Sequence, residues 1–414
     1  MNLLLLKLLP LLLLLLFNVM VRSEGSWPSR IQSTDIERYS WLGQVFTGDF
    51  KGDQFGWSFT SLGRRNLNNT SDSPSTIAIS THSLNHSSYL GVVSLFSHSS
   101  PSSFSSFTST HLQLAFSGDF NHDSHDDLII ADSSSSSEGA FVVSFFPSST
   151  VLMIIQIGGG SSSSSSTAWI GASSMGCIGD INDDGFGDLL FGAYGLNKVF
   201  VIWGDQQHSS SSSSTTVPPQ IINISSWIEG QYGFSITGLT SSSHLGSSCL
   251  SLIPNSAGGG DVNGDDVDDF IIGDSQHDNQ LFVIFGHSKI TESSWSWNNF
   301  DLSTLDGKSK GFKINLASSS YTLNCWMGIV GDLNNDGADD IVITLHSFLS
   351  YVSIIWGHPS TSSSSSSSSS FGSVVIVPQQ STSDDSVVSV TTMSIGFSSA
   401  DGIAGINING DSYD

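Results

Sequence analysis

Basic residues are scarce: the 414-residue chain holds 12 Lys and Arg against 37 Asp and Glu, a formal net charge of −25. So acidic a surface repels phosphate backbones and excludes a nucleic-acid partner. Cysteine is nearly absent, with Cys177, Cys249 and Cys325 alone. An odd count cannot pair fully within one chain, and no spacing matches a zinc set, so the three read as small buried side chains. Past the first residues no apolar run is long enough for a membrane-spanning helix. Catalytic signatures are missing as well: there is no Gly-x-Ser-x-Gly elbow and no His-Glu-x-x-His helix. Gly307-Lys308-Ser309 looks like the end of a phosphate loop, but Leu302 stands where the first Gly is required. No enzyme is expected.

The N-terminus is read as a leader. Lys7 precedes an apolar core from Leu8 to Phe17, too short for a comfortable span, and Val21-Arg22-Ser23 offers a cleavage region before Glu24. Residues 1–23 are therefore expected to be a secretory signal peptide, with an uncleaved anchor as the alternative. Residues 24–40 form an N-terminal segment and 41–414 the folded part. Secretion, or the extracellular face of the cell surface, follows; the glycosylation sequons at Asn68, Asn69, Asn85 and Asn223 agree with it.

What is present is Gly, Ser and many short apolar runs in a chain that is 38% hydrophobic, the composition of an all-β protein. The acid is not spread evenly: 19 of the 37 acidic residues lie in five short windows. In the clearest, Gly331-Asp332-Leu333-Asn334-Asn335-Asp336-Gly337-Ala338-Asp339-Asp340, the alternating oxygens of Asp332, Asn334 and Asp336 can converge on one point. Gly337 permits the sharp turn, Asp340 can close the cage, and there is room for the Ala338 carbonyl and a water. Hard oxygen ligands in a flexible shell suit calcium. One copy could equally be an ordinary turn of Asp, Asn and Gly. The pattern recurs, however, at Asp119-Phe120-Asn121-His122-Asp123-Ser124-His125-Asp126-Asp127, at Asp180-Ile181-Asn182-Asp183-Asp184-Gly185-Phe186-Gly187-Asp188 and at Asp261-Val262-Asn263-Gly264-Asp265-Asp266-Val267-Asp268-Asp269. Successive copies start 61, 81 and 71 residues apart, and an apolar run follows each.

A second apolar run comes after a short break: Phe141-Val142-Val143, Val199 to Trp203, Leu281 to Phe285, and Tyr351 to Trp356. Each pair of runs reads as adjacent antiparallel strands, with the acidic loop as the turn into the first. Such a sheet is apolar on both faces and must be covered by its neighbours, which radial packing achieves. The expected fold is a β-propeller of four-stranded blades.

An earlier unit lacks the loop but keeps the frame, in Gln54 to Phe59, Thr76 to Ile79 and Gly91 to Phe96. Gly372 to Val377 should open or bridge a sixth unit, and Asn407, Asn409, Asp411 and Asp414 form a weak, incomplete fifth loop, so the chain is expected to be cut short there. The serine tracts 209–214 and 362–370 fall after equivalent strands and read as loop insertions.

Phe55-Gly56, the Asp-x-Asn-x-Asp-Gly-x-x-Asp loops and Leu190-Phe191-Gly192-Ala193-Tyr194 together resemble FG-GAP repeats, the units of the integrin alpha-chain propeller. The resemblance runs from about Trp41 onward. It implies seven blades, of which about six are visible, and calcium in the loops joining the first two strands. It further implies side-chain ligands at the first, third, fifth and ninth loop positions: Asp119, Asn121, Asp123 and Asp127; Asp180, Asn182, Asp184 and Asp188; Asp261, Asn263, Asp265 and Asp269; Asp332, Asn334, Asp336 and Asp340. The seventh position supplies its carbonyl, at His125, Phe186, Val267 and Ala338. Because Ser124 and Asp266 replace the turn Gly, those two loops are expected to bind more weakly. The implied function is a ligand-binding, cell-adhesion module for an extracellular protein or glycan, with a partner subunit if the likeness to integrins extends that far. The alternative is the non-catalytic propeller of a secreted hydrolase, of phospholipase D or glycan-active type.

Overall fold

The computed structural model describes residues 54–64, 75–82, 91–97, 100–107, 112–116, 118–123, 126–132, 139–144, 150–156, 170–193, 196–204, 218–240, 245–246, 260–274, 280–289, 296–298, 300–316, 324–346, 351–359, 374–377 and 390–393. The leader at 1–23, the segment 24–40, the serine tracts and the loop at Asn407, Asn409, Asp411 and Asp414 lie outside them. Among the described residues there are 21 strands, two short 3-10 turns and no α-helix, hence no helix long and apolar enough to cross a membrane.

Gly, Ser and Asp interrupt the apolar runs every few residues, so each run makes one short strand and pairs with the next. Five small sheets result. The first contains β1 (Gln54–Arg64), β2 (Ser75–His82), β3 (Gly91–Ser97) and β4 (Ser100–Phe107), in chain order and antiparallel throughout. The second contains β5 (Leu112–Phe116), β6 (Leu128–Asp132), β7 (Gly139–Ser144) and β8 (Thr150–Gln156). The third has β9 (Ile170–Gly179), β10 (Asp188–Ala193), β11 (Lys198–Ile202) and β13 (Gly233–Thr237). The fourth has β14 (Phe270–Asp274), β15 (Gln280–Ile284) and β16 (Gly311–Leu316), and the fifth has β17 (Asn324–Ile329), β18 (Ile341–His346), β19 (Tyr351–Ile355) and β21 (Val390–Met393). The two apolar runs of each acidic repeat are adjacent antiparallel strands, with Ile129 opposite Val142, Leu190 opposite Val201, Ile271 opposite Val283 and Val342 opposite Ile354.

The remaining two strands leave their own sheet. β12 (Gln220–Asn223) lies in the chain between β11 and β13, yet it runs parallel to β8 on the edge of the second sheet. β20 (Val374–Val377), between β19 and β21, runs parallel to β16 on the edge of the fourth. The segment expected to open or bridge a sixth unit thus lies on the edge of the fourth sheet, and no sixth sheet is present among the described residues. Pairing with the preceding sheet gives its backbone groups hydrogen-bond partners.

Continuous apolar strands are explained by cover on both faces. Leu189 and Phe191 of β10 pack with Ile129, Leu152 and Ile155 of the second sheet, while Leu190 between them packs with Phe270 and Ile272 of the fourth. Ile271 turns the other way, to Ile341 and Ile343 of the fifth. Three apolar layers therefore separate four consecutive sheets, and each fully buried Leu, Ile or Phe contributes about 1.5–3 kcal/mol. Cys177 is buried in the layer between the second and third sheets as a free thiol, and burial pushes that thiol upward, away from reactivity. Cys249 lies outside the described residues, and Cys325 is part of β17.

Candidate functional site

Each acidic loop leads into a strand: 119–127 joins β5 to β6, 180–188 joins β9 to β10 and 332–340 joins β17 to β18, while 261–269, closed by a single antiparallel bridge between Gly260 and Asp269, leads into β14. The four share one hydrogen-bond pattern. The first-position carboxylate accepts the fifth-position N–H: Asp123 N–H to Asp119 at 2.8 Å, and Asp184 to Asp180, Asp265 to Asp261 and Asp336 to Asp332 at 3.0 Å each. Its second oxygen takes the sixth-position N–H from Gly185, Asp266 and Gly337 at 2.6, 2.7 and 2.8 Å. Asp184, Asp265 and Asp336 in turn accept the N–H of Phe186, Val267 and Ala338 at 3.2, 3.0 and 3.1 Å. Side chains one and five are thereby folded over neighbouring amides of the turn.

At the third position Asn121 and Asn334 accept the N–H of Asp123 and Asp336 and donate to those same carboxylates. Asn182 donates to Asp188 instead, at 3.2 Å, and the side-chain carbonyl oxygens of Asn182 and Asn263 are buried without a hydrogen-bond donor. Among the described residues no three His, Cys, Asp or Glu side chains stand together as a metal cluster. The carboxylates are closed onto backbone amides. His125 lies outside the described residues, while His122 is exposed with its ring 5.5 Å from that of Phe186.

The ninth position has a second task. Asp127, Asp188, Asp269 and Asp340 are fully buried, and each accepts the N–H of its loop's second residue at 3.2, 3.2, 2.9 and 2.8 Å. The other oxygen of Asp188, Asp269 and Asp340 accepts from Gly204, Gly286 and Gly357, just past the second strand after each loop. Glycine is required there by crowding: a Cβ on Gly286 would sit 2.3 Å from the Asp268 carbonyl oxygen. Trp203-Gly204, Phe285-Gly286 and Trp356-Gly357 carry this feature in the sequence, where it passes unnoticed.

Loops are also bonded to one another. Asp268 Oδ2 accepts the N–H of Asp180 at 2.8 Å, and Asp339 Oδ2 accepts that of Asp261 at 2.9 Å. Backbone bonds reinforce the pairing, from Gly187 to Asp119, from Asp339 to Asp261, and from His287 and Lys289 to Ile181 and Asn182. Lys289 Nζ reaches Asp184 at 3.0 Å and lies 5.0 Å from the centre of the Trp203 ring.

Left-handed backbone occurs twice in each of the three loops at Asp180, Asp261 and Asp332, and at His122 among the described residues of the first. The fourth position has φ of 54° at His122 and Asp183, 70° at Gly264 and 59° at Asn335, and the sixth has 88°, 66° and 91° at Gly185, Asp266 and Gly337. The loop at Asp261 thus has its glycine at the fourth position rather than the sixth, and bears one non-glycine left-handed residue like the loops at Asp180 and Asp332. Asp tolerates that region better than most residues. The glycine argument for weak binding therefore does not apply to this loop. Ser124 lies outside the described residues.

Crowded carboxylates are hard to ionise. Burial, with Asp184 and Asp180 alongside, raises the Asp188 carboxyl well above its ordinary range, and burial with Asp265 and Asp261 does the same at Asp269. Burial pushes Asp126 and Asp268 up to about 7 and Asp340 to about 6. The phosphate-loop lookalike is closed off: Asp306 accepts the N–H groups of Lys308, Ser309 and Lys310 at 3.0, 2.9 and 3.1 Å, so its own carboxylate occupies that nest.

No protein-family model matches the chain, and no curated protein matches it. Among solved structures, a Bacteroides fragilis protein described as a 6-phosphogluconolactonase is similar with a TM-score of 0.36 and 10% identity, over 75% of this chain and 79% of that one. Chaetomium thermophilum Sqt1, bound to the N-terminus of ribosomal protein L10, is similar with a TM-score of 0.34 and 11% identity, over 74% of this chain and 72% of that one.

Proposed function

We propose that the chain is a secreted β-propeller, stiffened by calcium in four loops, that acts as a ligand-binding or adhesion module similar to the propeller of integrin alpha chains. The observation that carries this reading is the shared loop geometry, leading into a strand in each of four successive sheets, together with the buried and unpartnered carbonyl oxygens of Asn182 and Asn263. Hard oxygen donors, a buried amide carbonyl lacking a donor and carboxylates that resist ionisation together fit a divalent cation of calcium's type. The cation would neutralise clustered charge, and the protein's own part is to hold the first, third and fifth side chains over the turn while the ninth anchors it. Sheets covered on both faces and stacked in chain order are what a propeller would close into a ring. Binding is proposed to be structural, with the ligand an extracellular protein or glycan.

The test is a thermal melt of residues 24–414 in chelator, in magnesium and in calcium. A rise in midpoint specific to calcium is expected, because a ligand bound by the folded state alone stabilises it by mass action. A cooperative melt indifferent to calcium refutes the reading and leaves the loops as hydrogen-bonded turns.

A further inference from the structure

We propose that Asn223 carries an N-linked glycan and that this glycan covers an apolar sheet edge formed by β12 and the turn that follows it. The inference rests on the secretory reading above.

In β12 and the 3-10 turn Ile224–Ser226, Ile222 and Ile224 are buried in the layer between the second and third sheets. Alternation then turns Ile221 and Asn223 outward together: Ile221 is 56% exposed and Asn223 is exposed. Ile228, just beyond the turn, is 60% exposed. Among the described residues β12 is the last strand of its sheet, with no strand paired on its other side. Edges of this kind are commonly blunted by charge, yet residues 206–228 contain no Asp, Glu, Lys or Arg. Pro218-Pro219 precedes the strand and protects nothing along it. What the segment does contain is a sequon, Asn223-Ile224-Ser225, placed where the strand ends and the chain bends, with Ser226 Oγ donating to the Asn223 carbonyl at 3.2 Å. The modification precedes folding, so the folded position must leave room for a branched sugar, and an exposed strand end does. A glycan there would lie beside Ile221 and above the open edge.

In the chemistry, the Asn223 carboxamide nitrogen bonds to the anomeric carbon of a lipid-diphosphate-linked oligosaccharide. The C–O bond to the diphosphate breaks, the lipid diphosphate leaves, and the nitrogen gives one proton to a base of the host transferase.

The experiment expresses the full chain in a eukaryotic host twice, under its own first 23 residues and under a foreign leader replacing them. In the secreted protein, amidase release of the glycan should lower the mass and convert Asn223 to Asp in peptide maps, and Asn223→Gln or Ser225→Ala should abolish that part of the shift. Deglycosylating the folded protein should move it from monomer toward dimer in sedimentation, and Ile221→Ser should reverse that move. An unmodified Asn223 under the foreign leader overturns the site. A modified Asn223 whose removal leaves the protein monomeric overturns the covering role. Retention of the chain under its own leader refutes the secretory reading, and the natural modification with it.

Discussion

Asp339→Ala separates the bonds between loops from those within them. Asp339 Oδ2 accepts the Asp261 N–H at 2.9 Å, and its own N–H donates to the Asp261 carbonyl at 2.7 Å. Alanine keeps the second bond and deletes the first, leaving a partly buried amide without its charged acceptor. A hydrogen bond to a charged group contributes about 1.5–3 kcal/mol, so a loss in that range is expected. One effect opposes it: Asp339 is among the charges that push Asp268 upward, and removing it relieves that repulsion. Asp339→Asn can keep an acceptor while removing the charge, and its loss should stay below about 1 kcal/mol. The assay is urea unfolding of all three proteins in chelator, where an unchanged slope shows that the shift in midpoint is a shift in stability. Equal losses for Ala and Asn, or none for either, would refute the argument that this acceptor fastens one loop to the next.

Asp336→Ala should lower the thermal midpoint in calcium more than in chelator; an equal loss in both would make Asp336 a turn former alone. Lys289→Met removes a half-exposed ion pair to Asp184, so in chelator it should cost at most about 1 kcal/mol. In calcium titrations the same variant should gain affinity, since an ammonium no longer competes at the loop, and unchanged affinity would refute that competition. For Asp306, slight burial pushes upward, but the hydrogen bonds from Lys308, Ser309 and Lys310 outweigh it and hold the carboxyl below its ordinary 3.8. A lowered folded value means stability present above pH 3.8 and lost as pH falls below it, so Asp306→Asn should flatten acid unfolding in that window; a profile identical to the parent counts against it.

The strands, their pairing and the place of each acidic loop were legible in the sequence because they depend on local patterns: apolar runs, turn residues and a repeated spacing. The eighth loop position has no place in the repeated ligand pattern, yet Asp268 and Asp339 stand there and bond to a neighbouring loop. Their partners lie 88 and 78 residues away, beyond any periodicity. Left-handed backbone at His122, Asp183 and Asn335 escaped notice because only glycine was taken as its mark. Gly307-Lys308-Ser309 was judged on a missing glycine, whereas Asp306, immediately before it, determines its structure. β12 and β20 pair with β8 and β16 of the preceding sheets, which nothing in Gln220–Asn223 or Val374–Val377 announces.

Those two departures bear on how such a chain could grow or shrink by whole repeats. Excising the third sheet along its own boundaries, 170–237, would also take β12 and strip the second sheet of its outermost strand. A duplication cut the same way would deliver a spare β12 seeking a β8 that was not copied. A clean exchange would have to carry β8 and β12 together, a unit offset from the visible sheet.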